Sequence, residues 1–369
     1  MRYALIMAGG SGKRLWPLSH ADEPKQLIPF IGGRSLLEIA VDRLDGLVPA
    51  DQQYICAGQE HRPAILKALD GFPADGYIAE PTGRDTLNAV GLSAAVIARR
   101  DPEAVIAVFT ADHIIEPVRQ FQGIVEQGYL LAEESGADDT LVTFGIEPTH
   151  AATGYGYLKL GDPTGPDRVS ARIVDAFKEK PDHDVAEQYH EAGPEQYLWN
   201  SGMFVWPART LLTCIQRYVP QNYDGLKQIA DAWETDRRDD VLTEIYPDLP
   251  RQSVDYGVME PASADDDIRV AAVPMPLTWL DVGSWPAYLK TLETDADGNG
   301  VGQGKAELME SRDNLVYSDD PEHLIATIGC ENLVVVHTDR ATLVCPADRA
   351  QQIKELYQRV QDHHGDDYV

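Results

Sequence analysis

A chain of 369 residues with 43% hydrophobic content can build one large α/β domain with a smaller companion. Its 60 acidic residues against 31 basic ones give a formal net charge of −29, which excludes the broad basic face that a nucleic-acid partner needs. No apolar run approaches the ~18 residues of a membrane span, and the scattered Cys56, Cys214, Cys330 and Cys345, with no C-x-x-C pair, exclude a disulfide framework or zinc site.

Tyr3-Ala-Leu-Ile-Met7 is a short apolar run that predicts a buried strand. It starts too close to Met1 to leave room for a signal peptide, so a cytoplasmic location and no membrane partner are expected. The run feeds Ala8-Gly-Gly-Ser-Gly-Lys-Arg-Leu-Trp-Pro-Leu-Ser19. Around Ser11, the glycines Gly9, Gly10 and Gly12 let the backbone turn sharply and bring its N–H groups close to an anion. Arg14 offers phosphate a bidentate fork, and Lys25, in Glu23-Pro-Lys-Gln26, offers a point charge. A Walker A loop is excluded because Arg14 follows Gly12-Lys13, and a dinucleotide fingerprint because Leu15 holds the third glycine position. The string GGSGKRLWPLS with EPKQ resembles the signature of sugar-1-phosphate nucleotidyltransferases, and Trp16-Pro17 is most similar to their mannose-1-phosphate guanylyltransferase branch. A solvated tight turn after the first strand is the bland alternative.

Ser35 followed by Glu38 forms a capping-box pattern at the head of an amphipathic helix over 35–44. Strand-like runs recur at 53–57, 76–79, 104–109 and 140–144, with helical segments around 60–70, 86–100 and 119–135. This alternation predicts a mostly parallel sheet covered on both faces, with ligands beyond the carboxyl ends of its strands. From Tyr155 to Lys180 the pattern is more β-like; helices are expected near 183–192, 207–216, 222–234 and 238–245, around an extended run at 198–206. Residues 292–304 carry no periodicity and read as a linker. There Asp295-Ala-Asp-Gly-Asn-Gly300 imitates the start of a calcium loop, but Ala306 stands where a bidentate Glu is required. Four short strands begin near Arg312, His323, Asn332 and Ala341, and a polar helix follows over 349–360. The resemblance implies an α/β, Rossmann-like nucleotidyltransferase domain at residues 1–296. It also implies a small left-handed β-helix-like domain at 301–369 that contributes to a homodimer.

Phe109-Thr-Ala-Asp-His113 places an acid at the end of a buried strand, a costly position unless it meets a cation; a plain helix cap fits equally well. The resemblance implies that Asp112 and Asp281, the latter in Trp279-Leu-Asp-Val-Gly-Ser-Trp285, hold Mg2+. Glu80-Pro-Thr-Gly-Arg-Asp-Thr86 resembles the loop that reads the nucleobase and ribose, which assigns Arg84, Asp85 and Thr86 to the nucleotide. The family usually has Asn where this chain has Asp85. An ionised Asp only accepts, which suits the N1–H and N2–H2 donors of guanine, while Asp85 as cap of a helix starting at Thr86 is an equal reading. Sugar recognition is implied for Gly154, Tyr155 and Gly156 by close backbone approach, for Glu179 and Asn200 through hydroxyls, and for Lys180 through the sugar phosphate. The histidines show no ligand-like spacing and receive no role.

The implied activity is guanylyl transfer from GTP to mannose 1-phosphate, giving GDP-mannose and pyrophosphate, with Arg14, Lys25 and Lys180 as catalytic cations. A relative using glucose 1-phosphate with UTP or dTTP is the nearest alternative, and Trp16 speaks against it. A non-catalytic nucleotide-sugar-binding regulator has no need to keep the metal clamp. An acid-rich surface poorer in lysine than in arginine fits a saline cytoplasm. This predicts loss of folded structure on dialysis to low salt, and full stability there would rule it out.

Overall fold

In the computed structural model, which describes residues 1–10, 12–20, 24–29, 31–134 and 140–369, the short apolar runs pair into a nine-stranded sheet. Its strands are β1 (Arg2–Met7), β2 (Gln53–Gly58), β3 (Tyr77–Glu80), β4 (Val105–Thr110), β5 (Thr140–Ile146), β6 (Tyr157–Thr164), β7 (Ala171–Lys178), β8 (Tyr197–Pro207) and β9 (Arg269–Pro274). The order across the sheet is β3-β2-β1-β4-β8-β5-β9-β7-β6. Pairing is parallel through β3, β2, β1 and β4 and again between β5 and β9. β8 runs antiparallel to β4 and β5, and β7 antiparallel to β9 and β6.

Successive side chains of a strand point to opposite faces, and both faces here are covered. Tyr3, Leu5, Ile106 and Val108 join one apolar cluster with Leu92 and Val96 of helix 85–100, Leu211 and Ile215 of helix 208–218, and Leu226 and Ile229 of helix 220–232. Phe109, next to Val108 and so on the other face, meets Phe121 of helix 118–134 edge-on at 5.7 Å. This is the expected α/β architecture. β9 went unpredicted; its Val-Ala-Ala-Val core follows an acidic run and pairs with the distant β5.

The sheet belongs to the first of two compact units, Met1–Gly9, Ala40–Ala111 and Ile115–Trp279; the second gathers Gly10–Ile39, Asp112–Ile114 and Leu280–Val369. The second unit is β-rich. Gly300–Val301, Leu315–Ser318 and Leu333–His337 form one parallel ladder, Lys305–Met309 and Leu324–Ile328 another, and Thr342–Pro346 adds antiparallel to the first. Two parallel ladders fed by one winding chain are the geometry of β-helical coils. Their core holds Leu315, Tyr317, Val334, Val336 and Leu343, and with them Leu15, Trp16, Leu18 and Ile28 of the N-terminal loop and Val282, Trp285 and Tyr288. The predicted capping box is formed: Ser35 Oγ accepts from Glu38 N, and Glu38 Oε2 accepts from Ser35 N at 2.8 Å. The last long helix is Ile353–His364 where the sequence predicts 349–360, because residues 347–352 form a tighter 3-10 turn ahead of it.

Residues 292–304 lack periodicity because side-chain bonds order them. Asp295 Oδ1 accepts from the backbone N–H groups of Asp297 and Asn299, so the calcium-like run closes on itself. Asn299 Oδ1 accepts from Asn314 N and Nδ2, Asn314 Nδ2 also donates to Cys330 O, and Asn314 Oδ1 accepts from Leu333 N at 2.9 Å. Asn314 is fully buried, so an Asn314→Ala variant leaves these groups unpaired at a cost of about 1–3 kcal/mol. The midpoint of urea or thermal unfolding of the variant should fall accordingly; an unchanged midpoint would show that the asparagine ladder carries no stability.

Candidate active site

In the second unit the glycine loop turns tightly, with Gly10 at φ 113° and Gly12 at φ 58°, conformations that favour glycine. A Cβ on Gly12 would lie 2.8 Å from Lys25 Cβ and 3.2 Å from Ser19 Cβ, so only glycine lets the Lys25 stem pass. Ser19 Oγ donates to Gly12 O at 2.6 Å and pins the turn. Ser11 lies outside the described residues. Trp16 donates its indole N–H to Tyr368 O, and Trp285 donates its own to Trp16 O, which ties the loop into the core of its unit.

Lys25 is buried and its Nζ meets Asp112 Oδ2 at 2.5 Å. Asp112, His113 and Asp281 each offer one ligand atom, all within 4.8 Å of one another, and Val282 N donates to Asp112 O to join the two segments. Burial raises the Asp112 pKa, but the Lys25 and His113 charges and the Lys25 hydrogen bond outweigh it and hold the carboxyl well below its usual range. Asp281 moves the other way: burial, then repulsion from Asp112, raises its pKa. Two close carboxylates with one ammonium on Asp112 leave negative charge for a cation when the His113 imidazole is neutral, and two oxygens plus that imidazole nitrogen are then a competent donor set. The histidines carried no assignment from sequence spacing, because His113 meets Asp281 only in the fold. A Cβ on Gly283 would lie 2.9 Å from Asp281 Oδ1 and 3.3 Å from Arg14 Nη2, so the exposed Arg14 passes beside the acids. Arg14 also donates to Gln351 Oε1, while Lys13 sits over the Tyr357 ring at 4.4 Å.

The first unit holds the remaining residues. Glu80 is buried and accepts from Tyr246 Oη at 2.6 Å; burial raises its pKa, opposed by that bond and by one from the Arg84 backbone. Gly9 lies beside it, its added Cβ 3.8 Å from Glu80 Oε2. Asp85 is exposed at φ 68° and opens helix 85–100, its Oδ1 accepting from Thr86 N at 2.8 Å. The helix thus starts at Asp85 itself, one residue earlier than the cap reading had it. Thr86 Oγ1 accepts from Val254 N, and Asn88 Nδ2 donates to Arg84 O and Pro250 O, so this loop is braced by residues 250–254. The Arg84 Nε is buried without a hydrogen-bond partner among the described residues.

Glu179, Lys180, Asn200 and Gly156 come together. Lys180 Nζ meets Glu179 Oε1 at 2.7 Å, and Lys180 holds the left-handed φ of 44°. Asn200 N donates to Gly156 O, and a Cβ on Gly156 would strike Glu179 Oε2 at 2.5 Å. Gly154 faces open space. The Tyr155 ring lies 5.0 Å from Trp199 and 5.3 Å from Trp279. Sequence reasoning missed Asp255, whose Oδ1 accepts from Asn200 Nδ2 at 2.9 Å. The only signal was an acid in the run Ser253-Val-Asp-Tyr-Gly-Val-Met259, which otherwise reads as an apolar helix.

Residues 3–298 match the family model described as nucleotidyl transferase, and residues 304–360 match the MannoseP isomerase/GMP-like beta-helix domain. The chain is 36% identical to the xanthan biosynthesis protein XanB of Xanthomonas campestris pv. campestris, over 96% of this chain and 72% of that protein. It is 35% identical to a mannose-1-phosphate guanylyltransferase of Klebsiella pneumoniae, over 100% of this chain and 76% of the relative. A crystal structure described as mannose-1-phosphate geranyltransferase from Thermus thermophilus superposes with a TM-score of 0.84 at 31% identity, covering 98% of this chain and 99% of that one.

If the two acids share one ion, Asp112→Asn and Asp281→Asn should each weaken Mn2+ binding, measured by electron paramagnetic resonance, and the double variant should lose little beyond the worse single one. Fully additive losses would assign the acids to separate sites.

Proposed function

The chain belongs to the nucleotidyl transferase family, and from that membership and its site we infer that it transfers a guanylyl group from GTP to mannose 1-phosphate, giving GDP-mannose and pyrophosphate. The observation that carries this reading is the similarity, along the whole chain, to proteins named mannose-1-phosphate guanylyltransferase. The reaction needs no covalent intermediate: a phosphate oxygen of the sugar attacks the α-phosphorus in line and pyrophosphate leaves. Positioning and charge neutralisation then supply most of the rate.

The roles follow from chemistry. The N–H groups of the loop around Gly9, Gly10, Ser11 and Gly12, with Arg14, hold the β- and γ-phosphates, and Lys25 neutralises the reacting phosphates. Asp112 and Asp281, with His113 beside them, would hold Mg2+, which supplies positive charge against phosphate oxygens when bound. Arg84, Asp85 and Thr86 face the nucleoside, and the exposed Asp85 is an acceptor of the kind guanine requires. Lys180 pairs with the sugar phosphate, Glu179 and Asn200 take sugar hydroxyls, and Gly154, Tyr155 and Gly156 line the sugar. A cytoplasmic location, a homodimer using the 301–369 domain, and a catalytic domain at 1–296 belong to the same reading. No helix among the described residues is long and apolar enough to cross a membrane.

Pyrophosphate release should be greatest with GTP and mannose 1-phosphate when four nucleoside triphosphates are crossed with mannose and glucose 1-phosphates; preference for UTP or dTTP with glucose 1-phosphate would overturn the reading. Lys25→Ala should lower turnover by on the order of 10²-fold or more. Wild-type turnover in a folded variant, checked by circular dichroism, would remove Lys25 from the mechanism.

A further inference from the structure

Glu179 and Asp255 are two carboxylates brought close enough to repel each other, with the Lys180 ammonium paired to Glu179 and near enough to act on Asp255. Asn200 fixes the arrangement. Its Oδ1 accepts from Thr143 Oγ1 at 2.8 Å and its Nδ2 donates to Asp255 Oδ1, so the amide cannot turn without breaking both bonds. Beyond the Asn200 amide and its own backbone N–H, the Asp255 carboxyl meets no hydrogen-bond donor among the described residues. With Glu179 buried and Asp255 half-buried, this pair of acids costs stability unless donors arrive from elsewhere. A phosphate is repelled by this pair and drawn to Lys180, whereas hydroxyl groups supply the donors that the acids lack. The polarity of the cluster therefore sets which end of a sugar phosphate enters where.

We propose that Asp255 is a further sugar-reading residue, accepting a hydroxyl of mannose 1-phosphate next to the one taken by Glu179 while Lys180 holds the phosphate. This rests on the function inferred above and adds a specificity determinant to it. The groups that face Asp255 are Glu179 and Lys180 from the turn after β7, Asn200 from β8, and Tyr256 beside it. Helices 85–100 and 208–218, packed on residues 255–259, present apolar side chains, the uncharged Asn88, Ser93 and Thr210, and the Cys214 thiol on their buried faces. Burial, then repulsion from Glu179, pushes the Asp255 carboxyl up to about 7, against the pull of Lys180 and the Asn200 bond. The ionised form is the better hydroxyl acceptor, so sugar affinity is full above that value and falls as the carboxyl protonates below it.

The test begins with wild-type turnover, which examines the function reading by itself. In the active wild-type enzyme, KM for mannose 1-phosphate should rise as pH is lowered from 8 to 6 while KM for GTP does not follow it. Asp255→Asn keeps an oxygen for Asn200 but loses the charged acceptor. It should raise KM for mannose 1-phosphate about 10-fold or more at pH 8, with a much smaller change in kcat, and flatten the pH dependence. An active wild type with a flat sugar KM overturns the proposal without any variant and leaves the function standing. So does a folded Asp255→Asn protein with unchanged KM; a wild type that makes no GDP-mannose overturns both.

Discussion

The ion pair between Lys25 and Asp112 is the constraint on which the glycine loop and the acids beside it depend. Removing one partner of this half-buried pair costs stability, because the other charge is left uncompensated where water only partly reaches it. Here the cost is compounded, since Asp281 stands close enough to Asp112 for their repulsion to be felt. Keeping Lys25 in place demands a residue without a side chain at position 12, and keeping Gly12 in its left-handed turn demands the bond from Ser19. Loop shape, lysine position and acid pair are thus one arrangement.

The first unit repeats the theme with other outcomes. Glu179, Asp255 and Lys180 are again two acids and one lysine. In the second unit a histidine nitrogen completes a donor set suited to a cation. In the first, an amide locked by Thr143 takes that place, and an amide N–H alongside carboxylate oxygens suits hydroxyl groups. The same charge count thus stands beside a different fourth residue in each place, an imidazole in one and an amide in the other.

What was legible in the sequence was local. Ser35 and Glu38 announce their capping box across one turn. The glycine loop sits in a short string whose composition points to anion binding, whereas the acids after β4 and before Trp285 and the Glu179-Lys180 pair receive roles only through the resemblance. Asp255 and His113 were not legible, because their partners arrive from distant segments and neither breaks the local pattern of its own element. β9 was hidden for a similar reason: its place in the sheet is set by β5 and β7, not by its own short apolar core. The order in residues 295–299 escaped notice because side-chain bonds to Asn314 and Ser311, rather than any backbone period, create it.

Trp16, Trp285 and Tyr317 share one apolar core, and the indole of Trp285 bonds to the backbone of Trp16. Loop and coils consequently form a single unit of inheritance. Drift in the coil residues that touch Trp16 has to be matched by drift in the loop, and the loop is held still by the close fit of Gly12 against Lys25. The interior of the β coils should therefore diverge slowly along the side that meets the tryptophans and freely along the outward ladder at Lys305–Met309. A chimaera that took its coils from a distant relative would import a foreign wall for its own glycine loop.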